Sequence, residues 1–248
     1  MIKIDGLNKS YGSLEVLSGI NLQLKKGEIL CVIGASGCGK TTLLRLIAGL
    51  EKPDAGKISI DGSQVSDPRL LIPPFKRNLS MIFQELALWP HMTVFQNVAM
   101  AAEKNNSKKT ASRLVNEMLG RVSLEGFGDK YPHQLSGGEK QRLAIARSLV
   151  AKPGFLLMDE PLSNLDPILK QEVIEVIKKL MTGAGPGVIY VTHNMEEVFA
   201  LADTVAFMDN GRIVKCGTGR DMFESTDIAL IRSWRLLNKL EPDARGAG

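Results

Sequence analysis

No stretch of this 248-residue chain approaches the ~18 consecutive apolar residues that a membrane-crossing helix needs. The opening MIKIDGLNKSYG alternates as a strand does and lacks the apolar centre of a secretory signal. If the protein works at a membrane, something else is expected to hold it there. Cysteine is scarce as well. Cys31, Cys38 and Cys216 form an odd count without metal-ligand spacing, which argues against a disulfide scaffold and predicts reduced thiols in a cytosolic protein. Neither sign of charge dominates: 31 Lys+Arg against 27 Asp+Glu leave +4, with no long basic run. A nucleic-acid stripe is therefore not expected, and KNNSKK at 104–109 reads as a solvated loop. Internal repeats and low-complexity segments are missing too.

What is present is an ordinary globular composition, 44% hydrophobic and 23% charged, long enough for one large α/β domain or a domain with an inserted lobe. Four short apolar runs recur: ILCVIG (29–34), LSMIFQ (79–84), FLLMDE (155–160) and VIYVTH (188–193). Unbroken runs of this kind fit strands buried on both faces of a largely parallel sheet. Helical spacing lies between them, with Leu43, Leu46, Ile47 and Leu50 in one segment and Val173, Val176, Ile177 and Leu180 in another. KISIDG (57–62) alternates and predicts an antiparallel layer with residues 1–30. PRLLIPPFKRN (68–78) is proline-punctuated and reads as a loop. From about 87 to 152 the strand signals give way to helical ones.

The four runs end at Gly34, Gln84, Asp159–Glu160 and His193. In an open parallel sheet such strand ends line one crevice, where ligands bind. GASGCGKTT supplies that crevice with a phosphate loop: Gly34, Ala35, Ser36, Gly37, Cys38 and Gly39 lead into Lys40, Thr41 and Thr42 between a strand and a helix. Backbone N–H groups and the helix N-terminus would face phosphate oxygens. Lys40 would reach the β- and γ-phosphates of a nucleoside triphosphate, and the Thr41 hydroxyl would ligate Mg²⁺. Asp159 can hold Mg²⁺ through its water shell, and Glu160 can orient and deprotonate a water; the pair can also be a helix cap. Gln84 can approach the metal or the water, or bond to backbone. His193 can contact a γ-phosphate or play a structural part. Tyr11 can stack on adenine or pack between strands.

A second loop, LSGGEKQRLAIARSL (135–149), also begins with a backbone nest. Ser136 and Glu139 have the spacing of a capping box, and Leu143, Ala146, Leu149 and Val150 form an apolar stripe. A cap alone does not call for Gly137 and Gly138, which cost ~1 kcal/mol each inside a helix. Paired glycines make sense where something approaches the backbone closely.

GASGCGKTT, the glutamine of MIFQ, LSGGEKQR, LLMDEP, SNLD and VTH occur in an order that resembles the ATP-binding-cassette ATPases over nearly the whole chain. The resemblance implies a P-loop ATPase core with a mostly parallel sheet, an N-terminal antiparallel β subdomain and an inserted α-helical subdomain. The boundaries expected are 1–86 and 153–218 for the core with its β subdomain, 87–152 for the helical part, and 219–248 for a C-terminal helix and tail. It also implies a head-to-tail dimer in which Ser136, Gly137 and Gly138 grip ATP held by a second copy, with Ser163 and Asp166 facing the partner's site. Tyr11 would then stack on adenine, Glu160 act as base and His193 sense the γ-phosphate. Asn164 and Asn194 depart from the alanine and aspartate common at those places.

PPFKRNLSMIFQELALWPHMTVFQNV (73–98) is similar to ATPase subunits of bacterial importers for sugars, polyamines, sulfate or ferric iron. That similarity implies transmembrane permease subunits as partners, a solute-binding protein acting indirectly, and a place on the cytoplasmic face of the membrane. Leu86, Leu88, Trp89 and Met92 would line the permease groove, or else pack the helical part internally. Such importers often carry a further C-terminal β-barrel, for which residues 219–248 give no strand pattern. The other reading is a soluble ABC ATPase acting on an assembly or repair complex.

Overall fold

The computed structural model describes residues 1–181, 185–219 and 222. It opens with a hairpin, β1 (Ile2–Tyr11) and β2 (Leu14–Leu24). Ile2, Ile4 and Leu7 are all buried, although Leu7 is out of phase with a period of two. A register shift between Ile4 and Leu7, with Gly6 at φ 58°, returns Leu7 to the core side. Next come β3 (Ile29–Ile33), α1 (Lys40–Ala48), β4 (Ala55–Ile60) and β5 (Ser63–Ser66). The antiparallel sheet has the order β2-β1-β4-β5, as the alternation in KISIDG requires.

The remainder runs β6 (Leu79–Ile82), α2 (Val94–Ala102), α3 (Lys108–Arg121), α4 (Gly137–Leu149), β7 (Phe155–Asp159), α5 (Pro167–Met181), β8 (Gly187–Val191), α6 (Met195–Leu201), β9 (Thr204–Asp209) and β10 (Arg212–Gly217). A second sheet has the order β10-β9-β3-β8-β7-β6, parallel except where β10 pairs with β9. The four apolar runs are thus strands of one parallel sheet, as expected.

Those runs are unbroken because alternate residues serve opposite cores. Leu156, Met158, Val188 and Tyr190 pack with the helices α2 to α5. Phe155, Leu157, Ile189 and Val191 pack with α1 and the antiparallel sheet. The helical stretch between β6 and β7 therefore closes its core on the sheet and not within itself.

Several expectations change. β9 and β10 add two strands to those the apolar runs predict, joined at Asn210 and Gly211, whose φ of 44° and 75° form the positive-φ turn that an Asn-Gly pair favours. Residues 104–109 are not one loop: Ser107 caps α3, which starts at Lys108. The α1 stripe stops short, because Gly49 at φ 80° ends the helix and Leu50 is left 48% exposed. Leu143, Ala146, Leu149 and Val150 are buried as the α4 pattern requires. The expected C-terminal helix around DIALIRSWRLL and the tail lie outside the described residues. Among those described, no helix is long and apolar enough to cross a membrane.

Candidate functional site

The loop between β3 and α1 is shaped by close approach. A Cβ on Gly34 would lie 2.1 Å from the Met208 carbonyl oxygen of β9. Gly39, at φ 105°, would bring one to 2.7 Å from a Leu17 methyl. Ala35, Ser36 and Gly37 form the exposed crest, whereas Cys38 is buried, which pushes its thiol up. Lys40, only 5% exposed, donates from Nζ to the carbonyls of Gly34 and Ala35, both at 2.9 Å. A buried ammonium with two carbonyl acceptors keeps the loop wrapped around it.

Two contacts tie this loop to the neighbouring strand ends. Thr41 donates from Oγ1 to Asp159 Oδ1 at 3.1 Å. Burial pushes the Asp159 carboxyl up, while the Thr41 hydrogen bond pulls it the other way and the Glu160 charge raises it further. Asp159 pairs with Val191 across β7 and β8, so the residues just beyond, Glu160 and His193, fall side by side. His193 Nδ1 lies 3.3 Å from Glu160 Oε2. Glu160 itself is held at φ 44°, with its N–H on the Val191 carbonyl. That left-handed backbone is strained for a glutamate and turns its side chain out of the strand toward His193.

Gln84 is exposed, two residues beyond the end of β6. Tyr11 is 46% exposed, which removes the alternative that it packs between strands. Its hydroxyl donates to the Glu51 carboxylate, and Lys9 Nζ stands 5.4 Å from its ring centroid. Burial, with the Glu51 contact next, pushes the Tyr11 hydroxyl up. Thr42 also reaches it, so Tyr11 sits beside the start of α1. Glu51 went unread in the sequence because it lies past the glycine that ends the helix.

Ser136, Gly137, Gly138 and Asp166 form a separate cluster. Ser136 Oγ accepts the Glu139 N–H at 3.3 Å, and Glu139 Oε2 accepts the Ser136 N–H at 2.6 Å. That second bond holds the Glu139 carboxyl below its ordinary value. Ser136 and Gly137 are exposed. The glycines have an internal cause as well as any external one: a Cβ on Gly137 would lie 3.0 Å from Leu165 Cδ2, and one on Gly138 3.2 Å from Leu169 Cδ2. Asp166 caps α5, accepting the N–H groups of Ile168 and Leu169 at 3.0 and 3.1 Å. Ser163 Oγ is buried without a hydrogen-bond partner in the single chain. Asn194 accepts the N–H groups of Glu196 and Glu197, so an asparagine caps α6 as an aspartate would.

Leu86 and Leu88 pack inward against the helix-side core, as one of the two readings had it. Trp89 and Met92 are half-buried. A residue the sequence did not disclose, Arg147 on α4, grips this segment. It donates to the carbonyls of Leu86 and Ala87, both at 2.7 Å, and lies 4.8 Å from the Trp89 ring centroid. Burial lowers its pKa.

A family model described as ABC transporter matches residues 17–163, more than half of the chain. The chain belongs to the ABC transporter family. Among curated members it is 44% identical over 225 residues to the spermidine/putrescine import ATP-binding protein PotA of Thermotoga maritima, covering 90% of this chain and 60% of that protein. It is 43% identical to the Fe(3+) ions import ATP-binding protein FbpC of Vibrio cholerae, covering 90% and 63%. This ABC chain thus spans about three fifths of the length of the curated relatives it matches. A bacterial ABC transporter cassette solved as a dimer superposes with a TM-score of 0.77 at 30% identity, covering 88% of this chain and 98% of that one. The same cassette bound to ADP and Pi in a post-hydrolysis state gives 0.76 at 29% identity, covering 88% and 98%.

Oxygen ligands suit Mg²⁺, which takes one or two protein oxygens and fills its other positions with phosphates and water. The Thr41 hydroxyl beside the buried Asp159 carboxylate fits that demand. Among the described residues, no group of three or more His, Cys, Asp or Glu could hold a metal unaided.

Proposed function

We propose that this chain binds and hydrolyses ATP with Mg²⁺ and powers solute import through separate transmembrane subunits, at the cytoplasmic face of a membrane. The observation that carries the reading is the meeting of Thr41 with Asp159 and of Glu160 with His193 at adjacent strand ends beside the Lys40 loop. The names of the relatives, import ATP-binding proteins, support import over action on a soluble complex.

In this reading the exposed crest Ala35–Gly37 receives phosphate oxygens through backbone N–H groups, and Lys40 turns from the Gly34 and Ala35 carbonyls to the β- and γ-phosphates. Thr41 and Asp159, with Gln84 just beyond the neighbouring strand β6, would hold Mg²⁺, which when bound would offset phosphate charge. Tyr11, exposed at the end of β1 beside the start of α1, offers a ring to adenine. Glu160 takes the proton of the attacking water, with Gln84 orienting that water. A neutral imidazole has one N–H. While His193 donates it from Nδ1 to Glu160, Nε2 can only accept. To donate to a γ-phosphate oxygen, His193 must release Glu160 or take up a second proton. Release would free the base at the moment the triphosphate is seated.

The nest at Ser136–Gly138 then serves the nucleotide of a second copy in a head-to-tail dimer. Ser136 Oγ already accepts from Glu139, which leaves its proton free to donate outward. The unpartnered Ser163 hydroxyl lies in the loop that would face the second copy. Three charge-assisted bonds at ~1.5–3 kcal/mol over two sites give roughly 9–18 kcal/mol gross, against about 4–15 kcal/mol for association. Closure would then depend on ATP and reverse on hydrolysis.

The test is Glu160→Gln. It should keep ATP binding, lower turnover by at least about 100-fold, and accumulate an ATP-bound dimer. Turnover at the parental rate would remove Glu160 as the base.

A further inference from the structure

Among the described residues, Glu197 is the most deeply buried carboxylate that the mechanism above leaves unused, at 2% exposure on α6. Its Oε2 accepts two hydroxyls, Tyr190 at 2.9 Å and Thr192 at 2.7 Å, and its Oε1 lies 3.7 Å from Lys170 Nζ on α5. Cys31, on the facing strand β3, is near enough that the Glu197 charge helps keep its buried thiol protonated. Thr192 is 2% exposed, and besides donating to Glu197 it accepts the Asn194 N–H at 3.0 Å. The Glu197 N–H returns to Asn194 Oδ1 at 3.4 Å. Of the two neighbours of His193, Thr192 is therefore held by the Glu197 carboxylate and Asn194 by the Thr192 hydroxyl and the Glu197 N–H, while the His193 side chain is 61% exposed and meets Glu160 at its tip.

An exposed imidazole on a loose turn would sample many positions, and a single contact to another mobile side chain would not select one. The buried network removes that freedom from the backbone below it. We propose that Glu197 is a positioning residue: through Thr192 it presents His193 to Glu160, and through Lys170 it ties that presentation to the helix that follows the 163–166 loop. Lys170 is one turn along α5 from Asp166, with its N–H on the Asp166 carbonyl. Movement of that loop against a second copy is thereby felt at His193, by way of Lys170, Glu197 and Thr192. The burial of Glu197 has a function here beyond packing, because an apolar residue of similar size would fill the same space without holding Thr192.

The kinetic half of the test rests on the ATPase reading; the spectroscopic half does not. Thr192→Val keeps the shape and removes the hydroxyl, whereas Thr192→Ser restores it. For Thr192→Val we expect kcat to fall about 10- to 100-fold, the range for a misplaced reacting group, with KM for ATP within about twofold. Thr192→Ser should return kcat to within about twofold of the parent. In parallel, the ring C–H resonances of the three histidines, His91, His133 and His193, are followed by NMR, with His193 identified by its loss in His193→Ala. In Thr192→Val the His193 resonance should move while the other two stay, and in Thr192→Ser all three should keep their places. Lys170→Met, at a partly exposed position, should shift His193 in the same direction and serves if Thr192→Val does not fold. A His193 resonance unmoved in every variant that folds, or a loss of kcat that Thr192→Ser fails to rescue, overturns the proposal. If the chain proves to hydrolyse no ATP, the function falls and the resonances still decide the positioning role.

Discussion

The Arg147 guanidinium lies over the Trp89 ring, 4.8 Å from its centroid, and donates to the carbonyls of Leu86 and Ala87. Ala87 is held at φ 47° under this grip. Because α4 is capped by Ser136 and carries Arg147 in its last turn, one helix joins the Ser136–Gly138 turn to the segment after Gln84. The fork geometry matters, since lysine could reach one carbonyl and could not stack.

Replacing Arg147 by alanine should free that segment. Two charge-assisted hydrogen bonds and a cation–π contact together are worth about 3.5–7 kcal/mol gross. The chain has two tryptophans, so a Trp234→Phe background isolates Trp89 emission. Arg147→Ala should shift that emission to the red as the indole gains water. Unchanged emission would mean that Arg147 does not order the loop.

Ser136→Arg should leave nucleotide binding by a single chain within about threefold, while abolishing ATP-dependent dimers in light scattering. The added bulk and charge occupy the nest, and loss of the cap costs about 1 kcal/mol of stability. Normal ATP-dependent dimerisation of the variant would refute the shared site.

Arg77 should be a costly buried polar residue to replace in the β-rich half. It is 2% exposed and donates to the carbonyls of Leu46, Ile47, Val65 and Ile72 and to the Ser66 hydroxyl, and burial lowers its pKa to about 10. Arg77→Met strips these acceptors of their partner. With several buried acceptors left unsatisfied at about 1–3 kcal/mol each, a loss of about 3–5 kcal/mol is expected, or roughly 6–20 °C in Tm at 2–4 °C per kcal/mol, measured by calorimetry. A shift under about 2 °C would contradict the inferred role.

Asp159 gives a pH prediction with a definite sign. Its carboxyl is raised by burial, so the nucleotide-free folded chain holds that proton more tightly than the unfolded chain does. Its contribution to stability therefore falls as pH rises from the ordinary carboxylate value through the raised one. Asp159→Asn should remove this fall and raise the urea midpoint near pH 7, while weakening Mg²⁺-nucleotide binding. A midpoint difference between parent and variant that does not change with pH would argue against a raised Asp159.

The fold was legible in sequence where one short segment carries its own signal. The Lys40 loop, the Ser136–Glu139 box and the four apolar runs declare themselves within a dozen residues each. β9 and β10 carry a local signal in Asn210–Gly211, but it marks only a turn, and TVAFMD leads into no motif as the four other runs do. The site was legible as a set of strand ends and not as a set of contacts. Glu197 reaches Thr192 and Lys170 only through packing of α5 and α6 on the sheet, and Arg147 reaches Leu86 across sixty-one positions. No spacing rule reports such meetings. The two glycines after Ser136 show the converse, since a motif read for its ligand also makes room for Leu165 and Leu169.

The alternation along β7 and β8, with neighbouring residues committed to opposite cores, makes the central sheet a party wall. Loosening either side strips lining from the other. Neither the hairpins of the first seventy residues nor the three helices after β6 would survive excision as a folded fragment, and the described chain should melt in one step. Any working stroke must then bend at the connecting loops, leaving the wall itself stiff enough to carry force from one side to the other.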